Sequence, residues 1–95
     1  MTDFVKDADA ILDYQINWLD WLVTDTITTS TWSTSPGITV GNGSNGAPAP
    51  SNTSTTATIW LIGGTTGGNY IVTNRIVTAA GRTNEHSLRI SVVDL

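Results

Sequence analysis

Apolar and polar side chains alternate with a period of two through most of residues 55–93, and this alternation limits the possible folds more than any other feature of the sequence. Such a period places successive side chains on opposite faces of a strand. β-Branched and aromatic residues, which strands favour, are frequent in the same segments. The pattern predicts three strands with two connections, namely strand 55–62, a glycine-rich turn over 63–68, strand 70–78, a hairpin connection over 79–82, and strand 86–93.

One row of each predicted strand is apolar and is expected to face a core. In the first of these strands the apolar row includes Ile59 and Leu61, which leaves Trp60 on the outward row. In the second strand the row that begins at Tyr70 also contains Asn74. An amide at that position indicates either a buried, hydrogen-bonded side chain or a break in the register.

The first half of the chain carries a weaker pattern. Residues 26–33 and 38–40 are predicted as strands, whereas residues 8–23 fit both a helix with one apolar stripe and a strand. We favour a strand over 13–18 and an irregular or single-turn segment over 19–22, because a sandwich needs an opening strand. The expected fold class is all-β, an antiparallel β-sandwich with about six to seven strands.

Length and composition indicate a single small domain over residues 1–95. The chain has no cysteine, so no disulfide can strengthen this domain. Six aspartates and one lysine fall within residues 1–25, and we expect residues 1–12 to form an acidic, solvated arm. Residues 41–54 are rich in Gly, Ser, Asn and Pro and are expected to form a flexible loop.

Composition and motifs argue against several classes of function. Four basic residues against eight acidic ones cannot neutralise a phosphate backbone, so nucleic-acid binding is not expected. No apolar stretch is long enough to span a membrane, and no signal peptide is expected. Gly41, Gly43 and Gly46 have the spacing of a dinucleotide-binding motif, but Pro48 and Pro50 prevent the helix that such a site requires.

No combination of ionisable residues predicts a catalytic or metal site. Asp7, Asp9 and Asp13 lack the spacing and the glutamate of a calcium-binding loop. His86 is the only histidine, and without cysteine it does not fit a typical zinc site. No serine lies in the strained turn that a Ser/His/Asp triad requires. We therefore expect no catalytic residue, no cofactor and no metal, and a surface position for His86.

The four tryptophans are the most informative candidates for packing and for contact. Trp18 and Trp32 are expected in the core or at its rim, because a sandwich this small needs large side chains. Trp21 and Trp60 are harder to bury. Because tryptophan is enriched at interface hot spots, these two are candidates for contact with a partner.

A second candidate surface is the outward face of the predicted C-terminal hairpin. There, apolar and hydroxyl side chains surround Arg75 and Arg89, and no lysine or acid is expected. The only lysine, Lys6, is expected outside the strands, so the sheet edges lack their usual protection and we infer that another chain covers edges or faces. The alternative is an ordinary β-surface that tolerates some apolar residues. The predicted partner contacts are Trp21, Trp60, Arg75 and Arg89.

Two blocks of the sequence are distinctive as a pair. The first is D-A-I-L-D-Y-x-I-N-W-x-D-W-L over residues 9–22. The second is A-T-I-W-L-x-G-G-T-x-G-x-x-Y-x-V-T-N over residues 57–74, which continues as T-A-x-G-R-T over 78–83. Together they resemble a family of small tailed-bacteriophage proteins, the fibre–tail adaptors. The second block is also similar to fibronectin-III and other immunoglobulin-like modules, which implies that the expected antiparallel β-sandwich is immunoglobulin-like and that Tyr70 forms a tyrosine corner.

The resemblance implies a non-enzymatic virion protein that docks a fibre or tail component onto the phage particle. Its implied partners are other virion proteins (fibre, tail or major capsid protein), in several copies of a symmetric assembly. Two other functions stay open at this point. One is a capsid decoration (cement) protein, because such proteins are also small acidic β-domains. The other is a carbohydrate-binding module, because exposed tryptophans stack on sugars.

Overall fold

The chain forms two β-sheets that pack face to face around a shared core. The computed structural model describes residues 2–94. In chain order its elements are β1 (Thr2–Asp7), β2 (Ile11–Asn17), α1 (Leu19–Leu22), β3 (Ile27–Thr34), β4 (Ile38–Val40), β5 (Ser51–Asn52), β6 (Thr56–Gly63), β7 (Asn69–Thr78) and β8 (Thr83–Val93).

The strands are divided between the sheets in a fixed order. Sheet I has the order β1-β8-β7-β3, and sheet II has the order β2-β6-β4, with β5 also paired to β6. β7 and β8 form the predicted antiparallel hairpin. β1 differs from all other strands because it runs parallel to its neighbour β8, with Thr2 opposite Leu88 and Asp7 opposite Val93. The architecture is therefore all-β, with eight described strands where about six to seven were predicted.

The core is built from the inward rows of both sheets, as the alternation predicted. Alternate residues of β6, of β7 and of β8 from Leu88 onward are buried, and the residues between them are partly buried or exposed. Trp60 lies on the outward row of β6, and the segment after β2 is a single helical turn, both as predicted. The buried apolar cluster consists of Tyr14, Ile16, Trp18, Leu22, Ile27, Ile38, Ile59, Leu61, Tyr70, Val72, Ile76, Leu88, Ile90 and Val92.

A hydrogen bond between two buried side chains links the sheets. The indole Nε1 of Trp18, directly after β2, donates to Oδ1 of Asn74 on β7 at 3.0 Å. The amide nitrogen of Asn74 donates to Ser30 Oγ at 2.9 Å and to the carbonyl oxygen of Thr31 at 3.1 Å, both on β3. Asn74 is fully buried and β7 continues through it without a break, so the reading as a hydrogen-bonded amide is confirmed.

The glycine-rich turn before β7 fits around Tyr70. The Tyr70 hydroxyl accepts a hydrogen bond from the backbone N–H of Thr65 at 2.8 Å, which is the contact of a tyrosine corner. Gly64 has a φ of 91°, and a Cβ there would lie 3.3 Å from the Tyr70 ring. A Cβ at Gly68 would lie 2.8 Å from the Tyr70 hydroxyl oxygen. A Cβ at Gly64 would also lie 2.7 Å from Val92 Cγ2. Glycine is therefore required at position 64 by its positive φ and by Val92, and at position 68 by the Tyr70 side chain.

Lys6 corrects the prediction for the N-terminal residues. An acidic arm was expected over residues 1–12, but Thr2–Asp7 form the edge strand β1. Lys6 is completely buried, and its ammonium group donates to the carbonyl oxygens of Asp7 at 2.9 Å and of Gly63 at 2.7 Å. Burial lowers the pKa of Lys6. The expectation that Lys6 lies outside the strands is wrong; it is an inward-pointing charge, which is one way in which edge strands are protected from pairing.

The segment over residues 41–54 folds back onto sheet II. Ala47 in its middle is 4% exposed and accepts a hydrogen bond from the backbone N–H of Gly43 at 2.8 Å. Gly41 is also buried, and any Cβ there would overlap the carbonyl oxygen of Pro48. The segment therefore buries more than its composition indicates and adds the short strand β5; its flexibility stays a prediction.

Two buried polar atoms find no hydrogen-bond partner among residues 2–94, and these are Tyr14 Oη and Trp32 Nε1. Trp32 is partly buried on β3 and packs against the core, which confirms its rim position. Trp18 is 6% exposed and belongs to the core itself. The two indoles thus differ in one respect that can be tested, because only that of Trp18 donates a hydrogen bond.

We expect Trp18→Phe to destabilise the fold by about 1–3 kcal/mol more than Trp32→Phe, because it leaves Asn74 Oδ1 buried without its donor. Trp32→Phe removes a donor that already lacks an acceptor. The free energy of unfolding from urea titrations of both variants measures the difference. Equal losses would show that the hydrogen bond to Asn74 adds nothing to the packing of the ring.

Candidate functional site

The four residues predicted to contact partners lie on three separate surfaces. Trp60 is partly buried on the outer face of sheet II, where Asp13 of β2 is its cross-strand neighbour. Arg75 and Arg89 are exposed on the outer face of sheet I. Trp21 is partly buried on α1. The fold therefore does not bring these residues into one site, and each surface has to be considered by itself.

The two arginines on sheet I face carboxylates. Arg89 Nε donates to Asp3 Oδ1 on β1 at 3.1 Å, and this hydrogen bond raises the pKa of Arg89. Arg75 Nη1 lies 3.7 Å from Glu85 Oε1 on β8. The expectation of a face without acids is wrong, because β1 contributes Asp3 and the outward row of β8 contributes Glu85. All four side chains are half-exposed or more, so water screens both pairs and their contribution to stability is small.

A cleft of about 380 Å³ opens on the side of the molecule where β1 and β2 are the edge strands of their sheets. Its wall combines aromatic rings with amide and carboxylate side chains, and α1 closes one end. We term it the α1 cleft. Its lining residues are Thr2, Phe4, Gln15, Ile16, Asn17, Trp18, Asp20, Trp21, Asn84, His86 and Leu88.

The aromatic wall of the α1 cleft is held together by ring contacts. The rings of Trp18 and Trp21 meet edge to face at 5.6 Å, and those of Trp18 and His86 at 6.2 Å. His86 Nε2 also lies 3.2 Å from Thr2 Oγ1 on β1. The expected surface position of His86 is therefore only partly right, because its ring is partly buried in the cleft wall.

Asp25 attaches the segment after α1 to the connection between β7 and β8. Its carboxylate accepts hydrogen bonds from Arg82 Nε at 3.0 Å and from the backbone N–H groups of Thr26 at 2.9 Å and Ala80 at 3.1 Å. A hydrogen bond with Thr78, together with these three, lowers the pKa of Asp25 from its usual 3.8 to about 2. The carboxylate therefore stays ionised to a lower pH than an ordinary aspartate.

Arg82 extends the same network to α1. Its guanidinium lies over the Trp21 ring at 4.2 Å from the centroid, in a cation–π arrangement. Its Nη2 donates to the backbone carbonyl of Leu22 at 3.1 Å, which satisfies a carbonyl group at the end of the short helix. Trp21 is therefore held from both sides, by Trp18 and by Arg82.

The first residue of α1 and the residue that follows its last one expose two apolar side chains. Val23 has a φ of 61° and is 75% exposed, the highest exposure among the large apolar residues described. Leu19 is 49% exposed. A positive φ is strained for a β-branched residue, and such strain persists only where the surroundings impose it. The backbone N–H of Val23 donates to the carbonyl oxygen of Leu19 at 3.0 Å, and the residues on either side of it, Leu22 and Asp25, are hydrogen-bonded to Arg82.

Sequence reasoning found Trp21 but not the residues that hold it. Arg82 lies within the T-A-x-G-R-T block, which contributed to the resemblance to the adaptor family but suggested no structural role for this arginine. Asp25 was counted only as part of the acidic end, because nothing in the sequence pairs it with a residue 57 positions away. No sequence pattern indicates that Val23 adopts a positive φ, since valine is the wrong residue type for it.

The described residues contain neither a metal-binding cluster nor a helix that could cross a membrane. Within residues 2–94, no group of three or more His, Cys, Asp or Glu side chains could hold a metal ion. The helix in this range has four residues, so no helix described here is long enough to cross a membrane. An aromatic cleft next to exposed apolar residues is typical of a surface that receives side chains of another protein.

We expect Asp25→Asn to weaken the fold near neutral pH and to flatten its acid dependence. The native-state pKa of about 2 lies below the unfolded value of 3.8, so the unfolded chain binds more protons in this window. The stability contributed by Asp25 is therefore complete above 3.8 and is lost as the pH falls toward 2. Urea midpoints measured across this window test it, with Asp20→Asn, an exposed carboxylate on α1, as the matched control. An equal acid dependence in Asp25→Asn and wild type would contradict the assignment.

A family model describing the podophage GP4 fibre–tail adaptor protein gp77 matches residues 6–91. No curated protein matches the chain. The matched range begins within β1 and ends within β8, so it includes both sheets, α1 and every residue of the Asp25–Arg82 network. The resemblance drawn from the two sequence blocks is thereby confirmed, and the chain belongs to the gp77 family of podophage fibre–tail adaptor proteins.

Proposed function

We propose that the chain acts in the virion as a non-enzymatic connector between a fibre component and the tail, and that the α1 cleft with Leu19 and Val23 is its docking surface. The family match over residues 6–91 carries the first part of the proposal. That match favours an adaptor over the capsid decoration protein and the carbohydrate-binding module, the other two functions considered from the sequence.

The partners we propose are other virion proteins, met by several copies of this chain in a symmetric assembly. A small domain offers only a modest contact area to each partner. Repetition around a symmetric junction converts weak single contacts into a firm attachment, because each further contact is made at high effective concentration. Catalysis is not part of this proposal, since the family is one of structural adaptors.

We also propose that the sandwich is of the immunoglobulin type. Two features support this, the two sheet orders and the tyrosine corner at Tyr70. The type matters for function because loops and short connections at the ends of such sandwiches are the usual binding sites.

The choice of α1 as the docking surface rests on Val23. A strained backbone that exposes a β-branched side chain has a cost and no packing benefit, and such strain clusters at functional sites. Trp21, one of the four predicted contact residues, lies on the same helical turn and lines the adjoining cleft. Trp60, Arg75 and Arg89 stay predicted contacts on the other two surfaces.

The variant Val23→Gly separates docking from folding. Glycine adopts the positive φ without strain, so we expect the free energy of unfolding to stay the same or to rise by about 1 kcal/mol. Fibre attachment should fall, because the exposed apolar side chain is gone. Particles produced from a phage genome that lacks the gene and is complemented with the variant give the measurement, as fibres per particle.

Two controls decide what a result means. Deletion of the gene should yield particles without fibres, and fibres retained in its absence would contradict the adaptor function itself. Val5→Ala removes another exposed valine, 60% exposed on β1 and distant in sequence from α1, and should leave attachment unchanged. Equal losses in Val5→Ala and Val23→Gly would contradict the choice of α1.

A further inference from the structure

We propose that the free edge of β3 binds an extended segment of a partner virion protein, which thereby adds a strand to sheet I. The proposal rests on the adaptor function above and specifies how a partner is held. It concerns a different surface from the α1 cleft, and it follows from the composition of β3 and from the direction of its backbone groups.

β3 is the least protected long edge among the described strands. It pairs with β7 on one side, and no described strand pairs with its other side, where the backbone N–H of the first residue, Ile27, donates to the carbonyl oxygen of Ser54 at 2.9 Å. Its eight residues include no charge and no proline, the two features that most often prevent edge pairing. By contrast, β1 carries three charged residues, β2 carries Asp13, and β4 and β5 have three and two residues.

The backbone of β3 presents hydrogen-bonding groups to the solvent at every second residue. Ser35 N–H donates to the carbonyl oxygen of Ile71 at 2.9 Å, which shows which alternate residues of β3 form their backbone hydrogen bonds with β7. In an antiparallel pair, hydrogen-bonded and non-hydrogen-bonded residues alternate. The N–H and C=O groups of Ser30, Trp32 and Thr34 therefore point away from β7. Donors and acceptors at this period match an extended chain, and a helix cannot satisfy them.

The side chains beside this edge define the sequence that fits. Thr31 and Ser33 lie on the outer face of β3, and both are exposed. Trp32 lies on the inner face, partly buried, and its Nε1–H has no acceptor among the described residues. A partner segment of alternating character fits best, with a polar or β-branched residue beside Thr31 and an apolar residue beside Trp32.

A second copy of this chain fits the edge less well than another protein does. A single added strand pair of this length buries far less than the roughly 1,200 Å² typical of a stable interface. Two copies also carry a net charge of −4 each, which opposes their association. A larger partner protein supplies the missing area through contacts outside the strand pair.

Two variants test the edge without breaking the pairing with β7. Thr34→Pro removes an N–H that points away from β7, and proline is tolerated at such positions of an edge strand. Ser33→Lys places a charge on the outer face of the edge, which opposes strand addition. Ser44→Lys makes the same change at an exposed position of the 41–54 segment, on sheet II, and is the matched control.

We expect Thr34→Pro and Ser33→Lys to retain the wild-type circular dichroism and unfolding midpoint, and to reduce fibres per complemented particle at least about tenfold. Ser44→Lys should match wild type. If both edge variants fold and attach fibres normally while gene deletion still removes the fibres, the edge proposal fails and the adaptor function stands. If deletion leaves the fibres in place, the adaptor function fails.

The alternative occupant of the edge has its own measurement. Sedimentation of the free wild-type chain should give a monomer at micromolar concentration. A dimer that Ser33→Lys converts to a monomer, while Ser44→Lys does not, would show that a second copy occupies the edge and would overturn the proposal.

Discussion

The hydrogen bond from Trp18 to Asn74 is the interaction on which the rest of this structure depends. A chain without cysteine has to tie its two sheets together by packing and by hydrogen bonds alone. Asn74 does so at one point, because its oxygen accepts from the end of β2 and its nitrogen donates to two residues of β3. Both the oxygen and the nitrogen of this amide are hydrogen-bonded, so its burial leaves no polar atom unsatisfied. The same hydrogen bonds fix the end of β2 relative to β3 and β7. The same indole forms the inner wall of the α1 cleft.

The candidate docking surface follows from that constraint. Once Trp18 is fixed, the chain has to leave sheet II at one place, and the single turn of α1 begins there. Four residues cannot form a stable helix by themselves. Contacts from outside supply what is missing, since Arg82 covers Trp21 and binds the last carbonyl group of the turn, while Asp25 holds Arg82. A surface supported in this way is rigid enough to keep Val23 in a conformation that valine avoids, and rigid support is what a binding surface requires.

Most of the C-terminal half could be predicted from the sequence, because a period of two determines which face of each strand is buried. The N-terminal strand could not. Asp3, Lys6 and Asp7 read as a solvated arm, since a buried lysine makes sense only when the carbonyl oxygen of Gly63, far along the chain, is placed beside it. The same limit applies to the arginines of sheet I, since Asp3 lies on a strand that was not predicted and Glu85 lies just before the predicted start of its strand at residue 86. Local sequence patterns indicate which residues are buried, whereas the interactions of a polar residue depend on partners that are distant in sequence.

The parallel pairing of β1 with β8 has a mechanical consequence. Six residues of β1 lie in register beside Leu88–Val93, and both strands run in the same direction. A pull on residue 2 and an opposite pull on residue 94 therefore act along the two strands in opposing senses. Such a load shears one strand along the other, so all the backbone hydrogen bonds between β1 and β8 bear it at the same time. In an antiparallel pair loaded at one end, by contrast, the hydrogen bonds break one after another. A load applied between residues 2 and 94 would thus be resisted in shear by the β1–β8 pair.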